Sequence, residues 1–358
     1  MNPSEPQPQD APASTTSPPA EVGVTYEPNS PVVRAELADA GPPPRPRLRR
    51  RIGLPIVLFL LTCFSTFLAG ATRYMPASEL GWVLPYWIGD RGDVLVNPLG
   101  PTLMPFRQSV YQHFSEGLLY MSCVLAILLA HEMGHFVMTL VYRVRASLPF
   151  FIPFPISPIG TMGAVIAMDS RQANRRQIFD IGLAGPLAGL VVAIPIMWIG
   201  VKKFDFAPGG PAHLQAPLAM RLAIDHVHPG KYDPAKGFPL DQANPWFMAG
   251  WVGLLVTGLN MLPVSQLDGG HVTYALFGKK AHWLARGFMG VSLAYVAFMV
   301  VWYRSAPSWI LMILLVLIIG TDHPRTSDDS VPLGWSRTVL GLASLAIPIF
   351  CFVPSLFP

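Results

Sequence analysis

Residues 117–142 read GLLYMSCVLAILLAHEMGHFVMTLVY, a mostly apolar run that carries two histidines and a glutamate. A helix of about 20 apolar residues crosses the hydrocarbon core of a bilayer, so this run is long enough to span a membrane. Ionisable side chains are costly within lipid, and those that occur there usually have a function. The stretch therefore predicts a transmembrane helix that carries a functional site.

The whole chain has the composition of a membrane protein. Of its 358 residues, 51% are hydrophobic and 13% are charged, whereas an ordinary soluble domain has about 25% charged residues. The sequence therefore predicts an all-α polytopic membrane protein with about seven transmembrane helices. Besides the first run, the predicted spans are residues 52–71, 179–201, 246–264, 286–303, 307–320 and 333–353.

The N-terminal segment differs from the rest of the chain. Residues 1–51 are rich in proline and end in RPRLRRR, directly before the first predicted span. This composition predicts a disordered tail, and the arginine cluster predicts that the tail is cytoplasmic, as in a multi-pass protein of a bacterial-type inner membrane. A basic nucleic-acid-binding patch is the alternative, but the adjoining span disfavours it, so we expect no nucleic-acid partner.

These features divide the chain into four predicted parts. They are the tail (1–51), a first transmembrane helix with an extracytoplasmic loop (52–114), an intramembrane core (115–285) and C-terminal transmembrane helices (286–358). Nothing in the sequence indicates an oligomeric state.

An apolar segment between the second and third predicted spans cannot be a continuous helix. Residues 149–168 read PFFIPFPISPIGTMGAVIAM, and their prolines remove backbone donors and clash with a preceding turn. Irregular backbone within a membrane occurs only where protein or a water-filled cavity covers it. We therefore expect a re-entrant β-hairpin or loop that turns near Gly160 and Gly163. A loop on the membrane surface is the alternative.

The pentapeptide HEMGH has the spacing of a metal site. Positions i and i+4 lie on one helix face, so His131 and His135 can both direct a ring nitrogen at one ion. Glu132 lies beside them and is a candidate general base, as in the HExxH motif of zinc proteases. A chance occurrence, with the histidines hydrogen-bonded in a helix bundle, is the alternative.

A catalytic zinc ion usually has three protein ligands, so a third ligand is expected elsewhere. The fourth predicted span ends in GLNMLPVSQLDGGHV, residues 258–272, where Asp268 follows an apolar run. We favour Asp268 because two histidines and a carboxylate form a known zinc set. His271 is a competing ligand, and an ordinary turn at Asp268 is a further alternative. In the same run, Asn260 offers a hydrogen-bond donor.

At these residues the chain resembles the site-2 proteases, zinc metalloproteases that cleave within the membrane. The resemblance rests on HEMGH (131–135) and NMLPVSQLDGG (260–270), and it covers roughly residues 115–285. Between these motifs, GTMG (160–163) resembles a GxxG turn of the family, and FDIGLAGPLAG (179–189) resembles its span of small residues.

The resemblance implies a function for each of these motifs. His131, His135 and Asp268 would hold Zn²⁺, Glu132 would be the catalytic base, and Asn260 would bind the substrate backbone or the oxyanion. Gly160 and Gly163 would belong to a hairpin that binds the unwound substrate as an added strand.

The expected activity is hydrolysis of a peptide bond within or near a transmembrane helix of a protein substrate, in regulated intramembrane proteolysis. The alternative is a zinc or proton-coupled transporter, which would need polar residues spread through many spans. A metalloprotease acting on soluble or membrane-adjacent chains would need a sizeable soluble domain and a further acid ligand. The sequence shows neither the spread of polar residues that a transporter would need nor the soluble domain and further acid ligand that such a metalloprotease would need.

Overall fold

The structure is a computed structural model that describes residues 52–75, 86–88, 94–96, 104–206, 213–264, 266–303, 326–353 and 355–356. Within these ranges the chain is mostly helical, with three short antiparallel strand pairs. The described residues contain four candidate membrane spans, which are Gly53–Ala71, Phe114–Val141, Arg175–Lys202 and Asp268–Trp302.

Helices and strands are numbered along the chain. The helices are α1 (Gly53–Ala71), α2 (Met104–Gln112), α3 (Phe114–Val141), α4 (Arg175–Lys202), α5 (Leu218–Val227), α6 (Pro245–Asn260), α7 (Asp268–Phe277), α8 (Ala281–Tyr303), α9 (Trp335–Ser344) and α10 (Ile347–Cys351). The strand pairs are β1 (Tyr86–Ile88) with β2 (Val94–Val96), β3 (Phe150–Phe154) with β4 (Gly160–Val165), and β5 (His213–Leu214) with β6 (Phe238–Pro239).

The count of seven transmembrane helices is not confirmed. The span predicted at 246–264 is a helix of 16 residues that ends at Asn260. It ends there because Pro263 has no N–H to donate and its ring would clash with the carbonyl of Leu259. The span predicted at 333–353 is split into α9 and α10, with Pro348 in the first turn of α10. The predicted span 307–320 and the predicted tail 1–51 lie outside the described residues.

Helices α3, α4 and α6 form the centre of the bundle, and their starts and contacts follow from the local sequence. Asn174 caps α4 in a reciprocal pair with Gln177, and the side chain of Asn244 accepts a hydrogen bond from the first turn of α6. A Cβ at Gly134 would lie 2.5 Å from the carbonyl oxygen of Ala184, so α3 and α4 approach to backbone contact. Small residues permit this close packing in membranes.

The apolar segment between the second and third predicted spans does contain a β-hairpin. Strands β3 and β4 are antiparallel, with an irregularity between Phe151 and Pro153, where proline lacks a donor. The turn closes at Gly160, whose N–H donates to the carbonyl of Ser157, so it lies near Gly160 as predicted, whereas Gly163 lies inside β4. Ser65 on α1 donates a hydrogen bond of 2.6 Å to the Gly160 carbonyl, which fastens the hairpin to α1.

Candidate metal centre

Helix α3 presents the two histidines of HEMGH on one buried face. The Nε2 atoms of His131 and His135 are 3.2 Å apart, and the residues are 3% and 9% exposed. Glu132, the residue between them in the motif, is 4% exposed. Three polar side chains are therefore withdrawn from solvent within two turns of one apolar helix.

Asp268 completes the cluster from a distant part of the chain. Its Oδ2 lies 3.1 Å from Nε2 of His131, and its Oδ1 lies 3.3 Å from Nε2 of His135. The end of α6 and the start of α7 bring it there, because Gly269 lets the chain pass close to the carbonyl of Met261. Among the described residues, the group with converging ligand atoms consists of His131, His135 and Asp268, and His271 lies outside it.

Asn260 also reaches this cluster. It is the last residue of α6, and its Nδ2 lies 3.3 Å from Nε2 of His131. The site therefore draws side chains from α3, α6 and α7, and an amide donor stands next to the ligand atoms.

A backbone carbonyl sets the orientation of His135. Nδ1 of His135 lies 2.7 Å from the carbonyl oxygen of Ile181 on α4. A carbonyl can only accept, so Nδ1 carries the proton, and the neutral ring has a lone pair on Nε2. This is the arrangement that outer partners impose on metal-binding histidines.

The donor set fits a zinc ion. Three ligand atoms at about 2.0–2.1 Å from zinc in a tetrahedral site lie about 3.3 Å from one another, which matches the separations of 3.1, 3.2 and 3.3 Å here. A cation held between converging acceptor atoms compensates for the cost of withdrawing them from water. The carboxylates of Asp268 and Glu132 would also neutralise a divalent ion.

Glycines on α4 make room for the two imidazoles. A Cβ at Gly185 would collide with the ring of His135, and a Cβ at Gly189 would lie 3.2 Å from Nδ1 of His131. One turn earlier, a Cβ at Gly182 would lie 2.8 Å from that of His271. The two histidine rings therefore pack against the run of small residues in α4.

The structure brings together most of the residues that the sequence indicated. His131, Glu132 and His135 are buried, and the half-buried side chains of Asp268 and Asn260 reach the same cluster. Gly160 and Gly163 belong to the hairpin instead, and the atoms nearest a Cβ at Gly160 belong to α1.

Sequence reasoning missed the carbonyl of Ile181, because a backbone acceptor leaves no residue-type signal. It also did not connect the glycines of α4 with the histidine rings. The run of small residues, spaced at three and four positions, was the available signal for that contact.

Comparison with known proteins identifies the family. The sequence model of peptidase family M50 matches residues 119–303, which include the histidines, Asn260 and Asp268.

Curated plant relatives are named "Probable zinc metalloprotease EGY1, chloroplastic". The one from Oryza sativa subsp. japonica is 30% identical over 91% of this chain and 53% of its own length. The one from Arabidopsis thaliana is 30% identical over 70% of this chain and 43% of its own length. This chain thus spans about half the length of the curated relatives it matches.

With its candidate spans, the chain is an integral membrane protein of mostly helical fold. It belongs to peptidase family M50, the site-2 protease family of zinc metalloproteases.

Proposed function

We propose that this protein is an intramembrane zinc metalloprotease that hydrolyses a peptide bond within or near a transmembrane helix of a membrane-protein substrate. The observation that carries the proposal is the convergence of His131, His135 and Asp268 inside apolar helices, with Glu132 beside them. Family membership supports the peptidase activity and gives no support to the transporter alternative.

Each side chain of the site has a separate role in hydrolysis. His131, His135 and Asp268 would hold the zinc ion. When bound, zinc supplies a Lewis acid that makes water nucleophilic near neutral pH and polarises the scissile carbonyl. Glu132 takes the proton of the attacking water on its carboxylate and passes it to the departing amide nitrogen. Asn260 donates from Nδ2 to the carbonyl oxygen as negative charge develops there.

The hairpin offers a place for an unwound substrate. A transmembrane helix uses its carbonyls in its own hydrogen bonds, so it must unwind before one can be attacked. Within the described residues, β4 pairs with β3 along one edge, which leaves its other edge for an added strand. In this proposal the hairpin is re-entrant, and Gly163, where a Cβ would meet no described atom, lets the substrate backbone approach, whereas Gly160 lies against α1.

The proposal includes an orientation and a domain division. We place the N-terminus in the cytoplasm of a bacterial-type inner membrane, with seven spans and a catalytic core at 115–285. The arginines just before α1 support this orientation through the positive-inside rule.

The deciding experiment is cleavage of a reconstituted transmembrane substrate by the wild type and by Glu132→Gln. Loss of the base should lower the cleavage rate by about 10²- to 10⁴-fold while zinc content is retained. Glu116→Gln is the matched control, because Glu116 lies on the same helix, is 44% exposed and contacts His113. It should cleave at the wild-type rate.

Two results would contradict the proposal. One is equal cleavage by the wild type and Glu132→Gln. The other is an unchanged zinc content after His131 and His135 are both replaced by alanine.

A further inference from the structure

We propose that residues 326–353, named here the C-terminal brace, position the metal ligands, and that Arg337 is the main positioning residue. This inference rests on the proposed function, because it assigns the brace to the same metal site. The brace lies beyond residue 303, where the match to the family ends. It contacts three of the elements that form the site.

The first contact joins the brace to α4 beside the histidine pair. Nε and Nη2 of Arg337 donate to the two carboxylate oxygens of Asp180 at 2.8 and 3.0 Å. The hydroxyl of Tyr142, just after α3, also donates to Asp180. Asp180 directly precedes Ile181, whose carbonyl orients His135, so the ion pair holds the backbone that sets this ligand.

The second contact joins the brace to α7, the helix that begins with Asp268. The hydroxyl of Tyr274 lies 3.0 and 2.9 Å from the carboxylate oxygens of Asp329. At the end of α7, the guanidinium of Arg175 donates to the carbonyls of Ala275 and Leu276 at 2.6 and 3.1 Å.

The backbone N–H of Arg175 in turn donates to the carbonyl of Asp328, at 3.1 Å. The brace and α4 thus hold the helix that presents the carboxylate ligand.

The third contact joins the brace to α6 near Asn260. A Cβ at Gly258 would lie 2.8 Å from the backbone nitrogen of Phe352 and 2.9 Å from the carbonyl carbon of Cys351. The end of α10 therefore lies against the backbone of α6, two residues before Asn260.

These contacts hold the metal ligands in fixed positions, as a metal site requires. Ligands must be held within about 0.5 Å of their productive positions, and outer partners commonly hold them there. A guanidinium that donates two parallel hydrogen bonds to a carboxylate sets an angle as well as a distance. Lysine keeps the positive charge but cannot donate the two parallel hydrogen bonds, so Arg337→Lys tests orientation separately from charge.

The experiment measures metal binding by the full chain in detergent. Arg337→Gln, Arg337→Lys, the swap Asp180→Arg with Arg337→Asp, and Arg171→Gln are compared with the wild type. Zinc affinity is measured by competition with a chelator, and the absorption bands of Co²⁺ are recorded per bound ion. The Co²⁺ spectrum reports ligand geometry and does not depend on the fraction of folded protein.

We expect Arg337→Gln to weaken zinc binding about tenfold, the lower end of the effect of outer partners, and to change the Co²⁺ bands. The zinc affinities of Arg337→Lys and of the swap should lie between those of Arg337→Gln and the wild type. Arg171 is exposed and lies outside these contacts, so its variant should match the wild type. Cleavage by Arg337→Gln should show a reduced kcat with KM unchanged.

Wild-type zinc affinity and Co²⁺ bands in folded Arg337→Gln would overturn the inference. If that variant does not fold, the same result for Arg337→Lys would overturn it. Failure of the proposed function gives a different result, because the wild type itself would then bind no zinc or cleave no substrate.

Discussion

Two apolar helices, α4 and α8, have similar compositions but different surroundings. In the most apolar stretch of α4, 44% of residues are buried, against 11% in the most apolar stretch of the span Asp268–Trp302, which contains α8. Their glycines differ in the same way. A Cβ at Gly185 of α4 would collide with the ring of His135, whereas a Cβ at Gly287 or Gly290 of α8 would meet no described atom within 4 Å.

The difference shows what hydropathy does and does not report. Apolar composition makes both helices compatible with lipid, but it does not indicate which helix has protein on every side. Between membrane helices, close packing depends on small residues, and these matter only where a neighbouring helix stands against them. In α4 that neighbour is α3, and the gap left by the glycines holds the imidazoles.

The largest effect predicted by this comparison belongs to Gly185→Ala. The added methyl group would occupy the space of the His135 ring, so Nε2 would move away from His131 and Asp268. Loss of an outer partner alone weakens metal binding about 10- to 100-fold. We therefore expect Gly185→Ala to weaken zinc binding by more than about 100-fold and to abolish cleavage. Zinc affinity and cleavage are the measurements.

Gly290→Ala is the matched control for this prediction, since it makes the same chemical change in the less buried helix. It should bind zinc and cleave as the wild type does. Normal zinc affinity in folded Gly185→Ala would mean that packing against α4 does not keep the His135 ring in its ligand position.

The paired histidines show how far the sequence can lead. The i, i+4 spacing of His131 and His135 predicts a shared face without any tertiary information, and the structure has that face. Asp268 could be proposed only with alternatives, because it follows His131 by 137 residues and its ligand position depends on how α7 meets α3. The predicted end of the fourth span was wrong by four residues, although Pro263 was the available signal.

Other parts of the site have no local signature. A backbone acceptor such as the Ile181 carbonyl can follow any residue type, so only coordinates reveal it. Arg337 and Asp180 are 157 residues apart, and neither belongs to a recognisable motif. Long-range pairs of this kind follow from the packing of the whole chain, which periodicity does not determine.

A smaller effect is predicted for the hairpin, where two glycines share a backbone conformation but not their surroundings. Gly160 has φ +81° and Gly163 has φ +101°, and both angles are unfavourable for other residues by about 1–2 kcal/mol. A Cβ at Gly160 would also lie 2.6 Å from the carbonyl oxygen of Ser65, whereas a Cβ at Gly163 meets open space.

We therefore expect Gly163→Ala to lower the free energy of unfolding by about 1–2 kcal/mol. Gly160→Ala should lower it by about 2–5 kcal/mol, because overpacking adds about 1–3 kcal/mol. Reversible unfolding in detergent measures both values. Equal losses would show that contact with α1 contributes nothing at this position.

The smallest effect is predicted for α8 itself, in Gly290→Ala. Alanine is favoured over glycine in a helix by up to about 1 kcal/mol, and no described neighbour stands in the way of the methyl group. Unfolding should therefore show no change or a gain of up to about 1 kcal/mol. A loss of more than about 1 kcal/mol would instead mean that another surface, from this chain or a second copy, packs on α8 as closely as α3 packs on α4. In that case the contrast between the two helices would disappear, and small residues in both would have the same role.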